Sequence, residues 1–100
     1  MKFERKVWRL VSKIPEGKVT TYKEIARALN TKAYRAVGNA LNKNPHWPKV
    51  PCHRIIRSDR RVGGFYKGGY YKTFLLRKEG IKIENGIVES AEIITKENLG

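Results

Sequence analysis

The sequence is poor in cysteine, methionine and glutamine. Its 100 residues contain one cysteine, one methionine and no glutamine. A single cysteine cannot form an intramolecular disulfide, so the disulfide-rich secreted class is excluded. The charged N-terminal stretch "MKFERKVWRL" lacks the apolar region of a signal peptide. Together these features predict an intracellular protein, in the cytoplasm or nucleoid.

The chain also lacks long apolar runs, internal repeats and low-complexity tracts. No stretch approaches the roughly 18–20 apolar residues that a membrane-spanning helix needs, so no membrane association is expected. The hydrophobic content is 40% and the aromatic content 10%, which is typical of a globular chain. We therefore expect a single domain over residues 1–100, with a core at about 3–80 and a tail at 81–100 that packs as a hairpin or stays mobile.

Acidic residues are scarce. There are 22 Lys and Arg against 9 Asp and Glu, which gives a formal net charge of +13. Such an excess favours binding to polyanions, of which nucleic acid is the first candidate. The alternative is a basic surface that is merely solvated. Anionic membrane is less favoured, because no segment pairs a basic face with a strongly apolar one.

Apolar spacing predicts two helices in the first third of the chain. In the first helix, the side chains predicted to share one face are Phe3, Val7, Leu10, Val11 and Ile14. The segment "IPEGK" should end this helix. The next segment, "VTTYKEIARALN", has Thr21 and Glu24 at the spacing of a capping box, and it places Ile25, Ala26 and Leu29 on a buried stripe.

A third helix is predicted in "AYRAVGNALNKNP", and its proximity to the second suggests a helix-turn-helix. Its predicted buried arc contains Ala33, Ala36, Val37, Ala40 and Leu41. The opposite arc contains Arg35, Gly38, Asn39 and Asn42. Small residues around one arginine suit close approach to a narrow groove, with Arg35 inserted as a probe. The alternative is an ordinary exposed arginine on a surface helix.

The remaining elements complete a fold that is mainly α with a small β element, a winged helix-turn-helix DNA-binding domain. "KVPCHRIIRS" is predicted to be extended. "YYKTFLLRKEG" is predicted to be a helix with Tyr71, Phe74, Leu75 and Lys78 on one face and Gly80 at its C-terminus. In the tail, Asn85-Gly86 between alternating apolar residues predicts a hairpin.

Cys52 lies between Pro51 and His53, with Arg54 next. A reactive cysteine must ionise, and a neighbouring cation or base lowers the pKa of a thiol; His53 and Arg54 are candidates for both roles. Adjacent side chains of a strand point to opposite faces, so His53 should reach the thiol only through water or after a bend. Glu79 is a candidate to orient the base. The alternatives are a small buried hydrophobic residue, or, much less favoured, a metal site with His46.

These residues carry a resemblance to a known family. "VPCHRII", preceded by "NKNP" and followed by "GGFYKGG" and "LLRKEG", resembles the C-terminal catalytic domain of O6-alkylguanine-DNA alkyltransferases. "EGKVTTYKEIA" and "RAVGNAL" extend the likeness over about residues 7–80. Nothing in the chain corresponds to the family's usual N-terminal domain.

The resemblance implies a role for each matching position. Cys52 matches the nucleophile, His53 the base that acts through water, Glu79 the acid that orients it, and Asn44 the residue that buttresses the turn. Tyr22 matches a tyrosine near the flipped nucleotide, and Arg35 the finger that fills the vacated stack. The remaining expected substrate and DNA contacts are Gly38, Asn39, Arg54, Ile55, Phe65 and Tyr66.

The function implied is DNA repair by single-turnover transfer of the alkyl group from O6-alkylguanine in duplex DNA to Cys52. The base would first be flipped out through the minor groove. The resemblance also implies a monomer that uses no cofactor or metal. Phe65 departs from the family, which usually has a tyrosine there, and Tyr66 and Lys67 replace small residues. Two alternatives are a non-catalytic alkyltransferase-like lesion-binding protein and a winged-helix transcription regulator.

Overall fold

The computed structural model describes residues 2–99 of the chain. It contains five α-helices, one short 3₁₀ helix and five short strands. The helices are α1 (Phe3–Val11), α2 (Tyr22–Ala28), α3 (Tyr34–Asn42), α4 (Gly69–Lys78) and α5 (Lys96–Leu99). The strands are β1 (Lys18–Thr21), β2 (Ile55–Ile56), β3 (Lys82–Glu84), β4 (Ile87–Ser90) and β5 (Glu92–Ile93), and the 3₁₀ helix is Cys52–Arg54. The prediction of a mainly α fold with a small β element is confirmed.

The first two helices follow the apolar spacing of the sequence. Val7, Leu10 and Val11 of α1 are buried, and Ile14 is buried just beyond it. Thr21 caps α2, since its hydroxyl accepts a hydrogen bond from the Glu24 backbone N–H at 3.1 Å. The capping box is only half formed, because the Glu24 carboxylate instead accepts hydrogen bonds from the Arg27 side chain and the Lys96 backbone.

The third helix packs against α1 and α2 much as predicted. Residues 29–33 separate α2 from α3, which buries Val37, Ala40 and Leu41. Ala33 was predicted to belong to this buried arc, but it lies at the N-cap and is exposed. The side of α3 that carries Arg35 and Asn39 therefore faces solvent.

The face of α4 that carries Tyr71, Phe74 and Lys78 is exposed, and the buried side chains of this helix are Lys72 and Leu76. A lysine is rarely buried without partners, so nothing in the sequence indicated that Lys72 would lie inside. Gly80 follows the helix with φ +92°, a left-handed conformation that suits glycine, as predicted.

A parallel sheet in the order β2-β1-β5 crosses the middle of the structure. None of its strands exceeds four residues, and β1 falls in a segment that the sequence assigned to the start of the second helix. Ile55 and Ile56 on β2 point to opposite sides of this sheet. Ile55 joins the core of α1–α3, and Ile56 joins a second cluster with Leu76 of α4 and the β3–β4 hairpin.

The tail at 81–99 is docked along the sheet. β3 and β4 form the predicted hairpin, with Asn85 and Gly86 both at positive φ in its turn. β5 then pairs with β1, and the Ile94 backbone N–H donates to the Val19 carbonyl at 2.7 Å. Leu99 is fully buried in the core of α1–α3. The tail therefore forms part of the packed structure.

Candidate functional site

Cys52 begins the short 3₁₀ helix that connects the α3 side of the molecule to β2. The segment was predicted to be extended, but only Ile55–Ile56 is a strand, and the chain turns at Cys52–Arg54. The bend after Pro51 that was considered as an alternative is therefore the observed geometry. Cys52 is 5% exposed, yet its side chain lines a cavity.

The cavity beside Cys52 has a volume of about 530 Å³. This lies within the roughly 300–1,000 Å³ of small-molecule sites, so it has room for one nucleobase. Four predicted contacts line it: Tyr22, Gly38, Phe65 and Tyr66. α3 forms the other wall. The remaining lining residues are Tyr34, Leu41, Asn42 and Gly64.

The thiol is not activated in this structure. Burial raises the pKa of Cys52, while a hydrogen bond with Asn44 and the charge of Lys72 oppose that rise without overcoming it. The expectation that His53 and Arg54 lower the pKa of this thiol is wrong, because neither contributes to the shift. Cys52 therefore rests as a neutral thiol.

Asn44 spans the turn that leads to Cys52. Its side-chain N–H donates to the Val50 carbonyl at 2.7 Å, and its side-chain oxygen accepts from the His46 backbone at 2.9 Å. The residue is 5% exposed. Asn44 thus holds both ends of the turn.

His53, Glu79 and Arg54 form a partly buried network below the turn. The His53 Nε2–H donates to Glu79 Oε2 at 2.7 Å, and Arg54 donates to both carboxylate oxygens at 2.9 and 3.0 Å. Burial lowers the pKa of His53, and Glu79 only partly restores it. Burial alone would raise the pKa of Glu79, but the hydrogen bonds from Arg54 and His53 hold it below its ordinary value. A neutral imidazole beside a carboxylate is the form that can accept a proton.

Two expected substrate contacts lie elsewhere. Arg54 does not line the cavity, because its guanidinium is held by Glu79 and by the Ile14 carbonyl at 2.7 Å. Ile55 is fully buried, and its carbonyl accepts from the Lys72 ammonium at 2.5 Å. The structure therefore assigns both residues to the framework that supports Cys52.

Sequence reasoning missed Lys72. Its ammonium bridges the carbonyls of Ile55 and Gly64 and so joins β2 to the loop that forms one cavity wall. Burial lowers the pKa of Lys72 to about 8, although the nearby Cys52 opposes this shift. Its spacing of four from Leu76 could have placed it on the buried side of α4, but its charge argued for exposure.

The exposed side of α3 carries the residues predicted to meet DNA. Arg35 and Asn39 are exposed and lie outside the cavity, whereas Gly38 lines it. A methyl group added at Gly38 would meet no atom within 4 Å. Internal packing therefore does not require a glycine here. Its effect is that no side chain projects from α3 at this position.

Trp47 is a second residue that sequence reasoning missed. Its indole Nε1–H donates to His53 Nδ1 at 3.1 Å, and its ring packs near Phe65 and Tyr71 with centroid distances of 6.1 and 6.0 Å. Nothing in the spacing of the sequence distinguished this tryptophan from a packing residue.

Among residues 2–99, no group of three or more His, Cys, Asp or Glu side chains converges as metal ligands would. Within the same range, no helix has the length and apolar character needed to cross a bilayer.

Solved structures with DNA resemble this fold. The Mycobacterium tuberculosis OGT in complex with DNA has a TM-score of 0.76 at 37% identity, covering 80% of this chain and 49% of that one. S. pombe Atl1, solved in complex with damaged DNA containing O6-carboxymethylguanine, has a TM-score of 0.73 at 34% identity, covering 84% of this chain and 83% of that one.

Curated relatives are similar to this chain in sequence over the same part of it. The methylated-DNA–protein-cysteine methyltransferase of Sulfolobus acidocaldarius is 51% identical over 82 residues, which are 82% of this chain and 52% of the relative. That of Methanosarcina barkeri is 46% identical over 78 residues, 77% of this chain and 49% of the relative. The chain thus spans about half the length of these relatives.

The family model that matches covers residues 2–81 and describes the DNA-binding domain of 6-O-methylguanine DNA methyltransferase. This corrects the expectation of a C-terminal catalytic domain only, because the matched unit is the one named for DNA binding. Cys52, His53, Glu79 and Asn44 all lie inside it. The chain belongs to the 6-O-methylguanine DNA methyltransferase family.

Proposed function

We propose that this protein repairs DNA by transferring the alkyl group of O6-alkylguanine in duplex DNA to its own Cys52, once per molecule. The observation that carries the proposal is the placement of the single cysteine on the wall of a nucleobase-sized cavity. The His53–Glu79 pair next to it supplies a base, and the curated relatives are named for this reaction.

The chemistry is a single displacement at the alkyl carbon. The Cys52 thiol loses its proton through a water molecule to His53, and the sulfur electron pair forms the new S–C bond. The C–O bond breaks as its electrons return to guanine O6, and the released guanine anion takes up a proton at N1 to give neutral guanine. Glu79 stabilises the imidazolium that forms on His53. The thioether is stable, so the protein is consumed.

Burial of the thiol is compatible with this scheme. Burial raises the pKa of Cys52, so the thiol stays protonated until His53 takes its proton, and the Lys72 and Lys67 charges favour the thiolate that then forms. An O6 substituent in a base pair cannot reach a buried sulfur, so the guanine must leave the helix. Tyr22, Phe65 and Tyr66 offer aromatic surfaces to the everted base.

We further infer a winged helix-turn-helix mode of binding, in which α3 enters the minor groove and the protein acts as a monomer inside the cell. Arg35 would fill the stack vacated by the flipped base, and the small surface at Gly38 would allow close approach. The net charge of +13 supplies the attraction to phosphate.

The decisive experiment is incubation with a duplex that contains one O6-methylguanine, followed by intact-protein and peptide mass spectrometry. We expect one added methyl group, on Cys52, and no addition to Cys52→Ser. Binding of the lesion duplex with no gain of mass would refute the transfer. Binding that is indifferent to the lesion would favour a winged-helix regulator.

A second candidate is a lesion-binding protein without transfer activity. It is favoured by the likeness to S. pombe Atl1, which was solved in complex with damaged DNA containing O6-carboxymethylguanine. The retained Cys52 and the intact network of His53 and Glu79 argue for the transferase. The same mass experiment separates the two.

The role of Arg35 is tested by comparing two substrates. Arg35→Ala should slow repair of duplex DNA strongly and leave reaction with free O6-benzylguanine nearly unchanged, because only the duplex requires flipping. Arg5→Ala, which removes the same charge from an exposed position on α1, is the matched control. Equal losses on both substrates would contradict the finger role.

A further inference from the structure

Both ring nitrogens of His53 are occupied in this structure. Nε2 is hydrogen-bonded to Glu79 Oε2 at 2.7 Å, and Nδ1 accepts from the Trp47 indole Nε1–H at 3.1 Å. The Trp47 and His53 rings meet edge to face, with centroids 6.0 Å apart. Since His53 is 3% exposed, bulk water has little access to the ring.

These two contacts fix the tautomer of His53. An indole N–H can only donate, and an ionised carboxylate can only accept. The neutral imidazole therefore carries its proton on Nε2 and presents a bare Nδ1. This is the form needed to accept a proton, but the acceptor position is already filled by Trp47.

We propose that Trp47 is a positioning residue that caps the His53 base, so that Nδ1 receives the Cys52 proton only after the indole N–H has moved away. The inference rests on the proposed function and adds a control on the same site. In the uncapped state a water molecule replaces the indole N–H, takes the thiol proton and passes one to Nδ1. The sulfur keeps the electron pair that forms the S–C bond as the C–O bond of the substrate breaks.

The surroundings of Trp47 connect this cap to the cavity. Phe65 lines the cavity and packs near both Trp47 and His53, at centroid distances of 6.1 and 6.3 Å. The Lys67 ammonium lies over the Trp47 ring, 5.1 Å from its centroid. A base stacked on Phe65 would contact a ring that packs near both Trp47 and His53, and this contact would link uncapping to substrate binding.

Three charged side chains near His53 also influence its pKa. Glu79 and Arg54 face His53 directly, and Lys72 from α4 is the third charged group that influences it. None of these changes when the indole N–H is removed. The effect of Trp47 on proton uptake by His53 can therefore be measured by one substitution.

The test compares Trp47→Phe with Trp8→Phe. Both delete one indole N–H, but that of Trp8 donates to the Ala40 carbonyl at 2.7 Å in the α1–α3 core. Near neutral pH we expect Trp47→Phe to alkylate with free O6-benzylguanine about 2- to 10-fold faster than wild type, the ratio that corresponds to one net hydrogen bond. The His53 pKa, followed by NMR titration, should rise. Trp8→Phe should change neither, and an unchanged or lower rate with an unchanged His53 pKa in Trp47→Phe would overturn the inference.

A measurement on the wild type covers the case in which Trp47→Phe does not fold. In ¹⁵N-labelled protein, we expect His53 Nδ1 to have the shift of an unprotonated nitrogen, and the Trp47 indole proton to exchange slowly with solvent. A proton on Nδ1, or fast exchange of the indole proton, would overturn the cap. A wild type that Cys52-directed substrates never alkylate would instead refute the proposed function, whatever the NMR shows.

Discussion

The Glu79→Gln substitution should produce the largest change in stability among conservative changes at this site. Glu79 and Arg54 side chains are 11% and 15% exposed, and the carboxylate accepts hydrogen bonds from Arg54 and His53. Removing one partner of a buried ion pair costs about 3–5 kcal/mol. Because both groups retain some solvent and glutamine keeps one oxygen acceptor, we expect a loss of about 2–3 kcal/mol at neutral pH.

The pH dependence gives this prediction a signature. The pKa of Glu79 is lowered in the folded protein, so its contribution is fully present above the unfolded pKa and is lost as pH falls through the folded one. The difference in unfolding free energy between wild type and Glu79→Gln should therefore shrink below about pH 4.3, the ordinary pKa of glutamate. Urea unfolding followed by circular dichroism over a pH series measures it.

Glu92→Gln is the matched control. The Glu92 carboxylate lies 3.5 Å from the Lys18 ammonium, and both side chains are well exposed, at 60% and 42%. Such a surface pair contributes about 0–1 kcal/mol. A loss in Glu79→Gln no greater than that in Glu92→Gln, or one that stays constant into acid, would refute the description of Glu79 as a buried anchor.

Three further changes test other parts of the fold by the same unfolding assay. Thr21→Ala removes the cap of α2 and should cost about 1 kcal/mol; no loss would mean that the hydrogen bond to Glu24 is not a stabilising cap. Leu99→Ala should cost about 2–5 kcal/mol, because the side chain is fully buried, and a near-zero cost would show that the tail is not docked in solution. The lowered pKa of Lys72, about 8, means that its contribution to stability is present above the unfolded pKa and falls as pH drops through the folded one. Wild type should therefore gain up to about 3 kcal/mol relative to Lys72→Met as pH rises from about 8 to about 10.4, and parallel curves would contradict this.

The sequence predicted the parts of the fold that depend on local spacing. The buried face of α1, the cap of α2, the glycine after α4 and the Asn85-Gly86 hairpin are all set by residues within a few positions of one another. The family resemblance could be seen in the sequence for the same reason, since each of the matching motifs between about residues 7 and 80 is a contiguous stretch.

Contacts between segments that are distant along the chain could not be predicted from the sequence. The strand β1 has four residues and is defined by partners 35 and 74 positions away along the chain, Thr20 with Ile55 and Lys18 with Glu92. The buried side of α4 was missed because Lys72 is stabilised by carbonyls of other elements, which spacing within the helix cannot show.

The sequence alone thus determined which chemical groups are present, their order and the helices that carry them, because backbone and apolar preferences act between residues that are close in the chain. The tertiary structure decided the protonation and hydrogen bonding of those groups. It buried the thiol and so raised the pKa of Cys52, turned Arg54 inward to Glu79, and set the Trp47 indole against His53. Each of these depends on desolvation and on hydrogen-bond geometry between segments, and neither exists until the chain has folded.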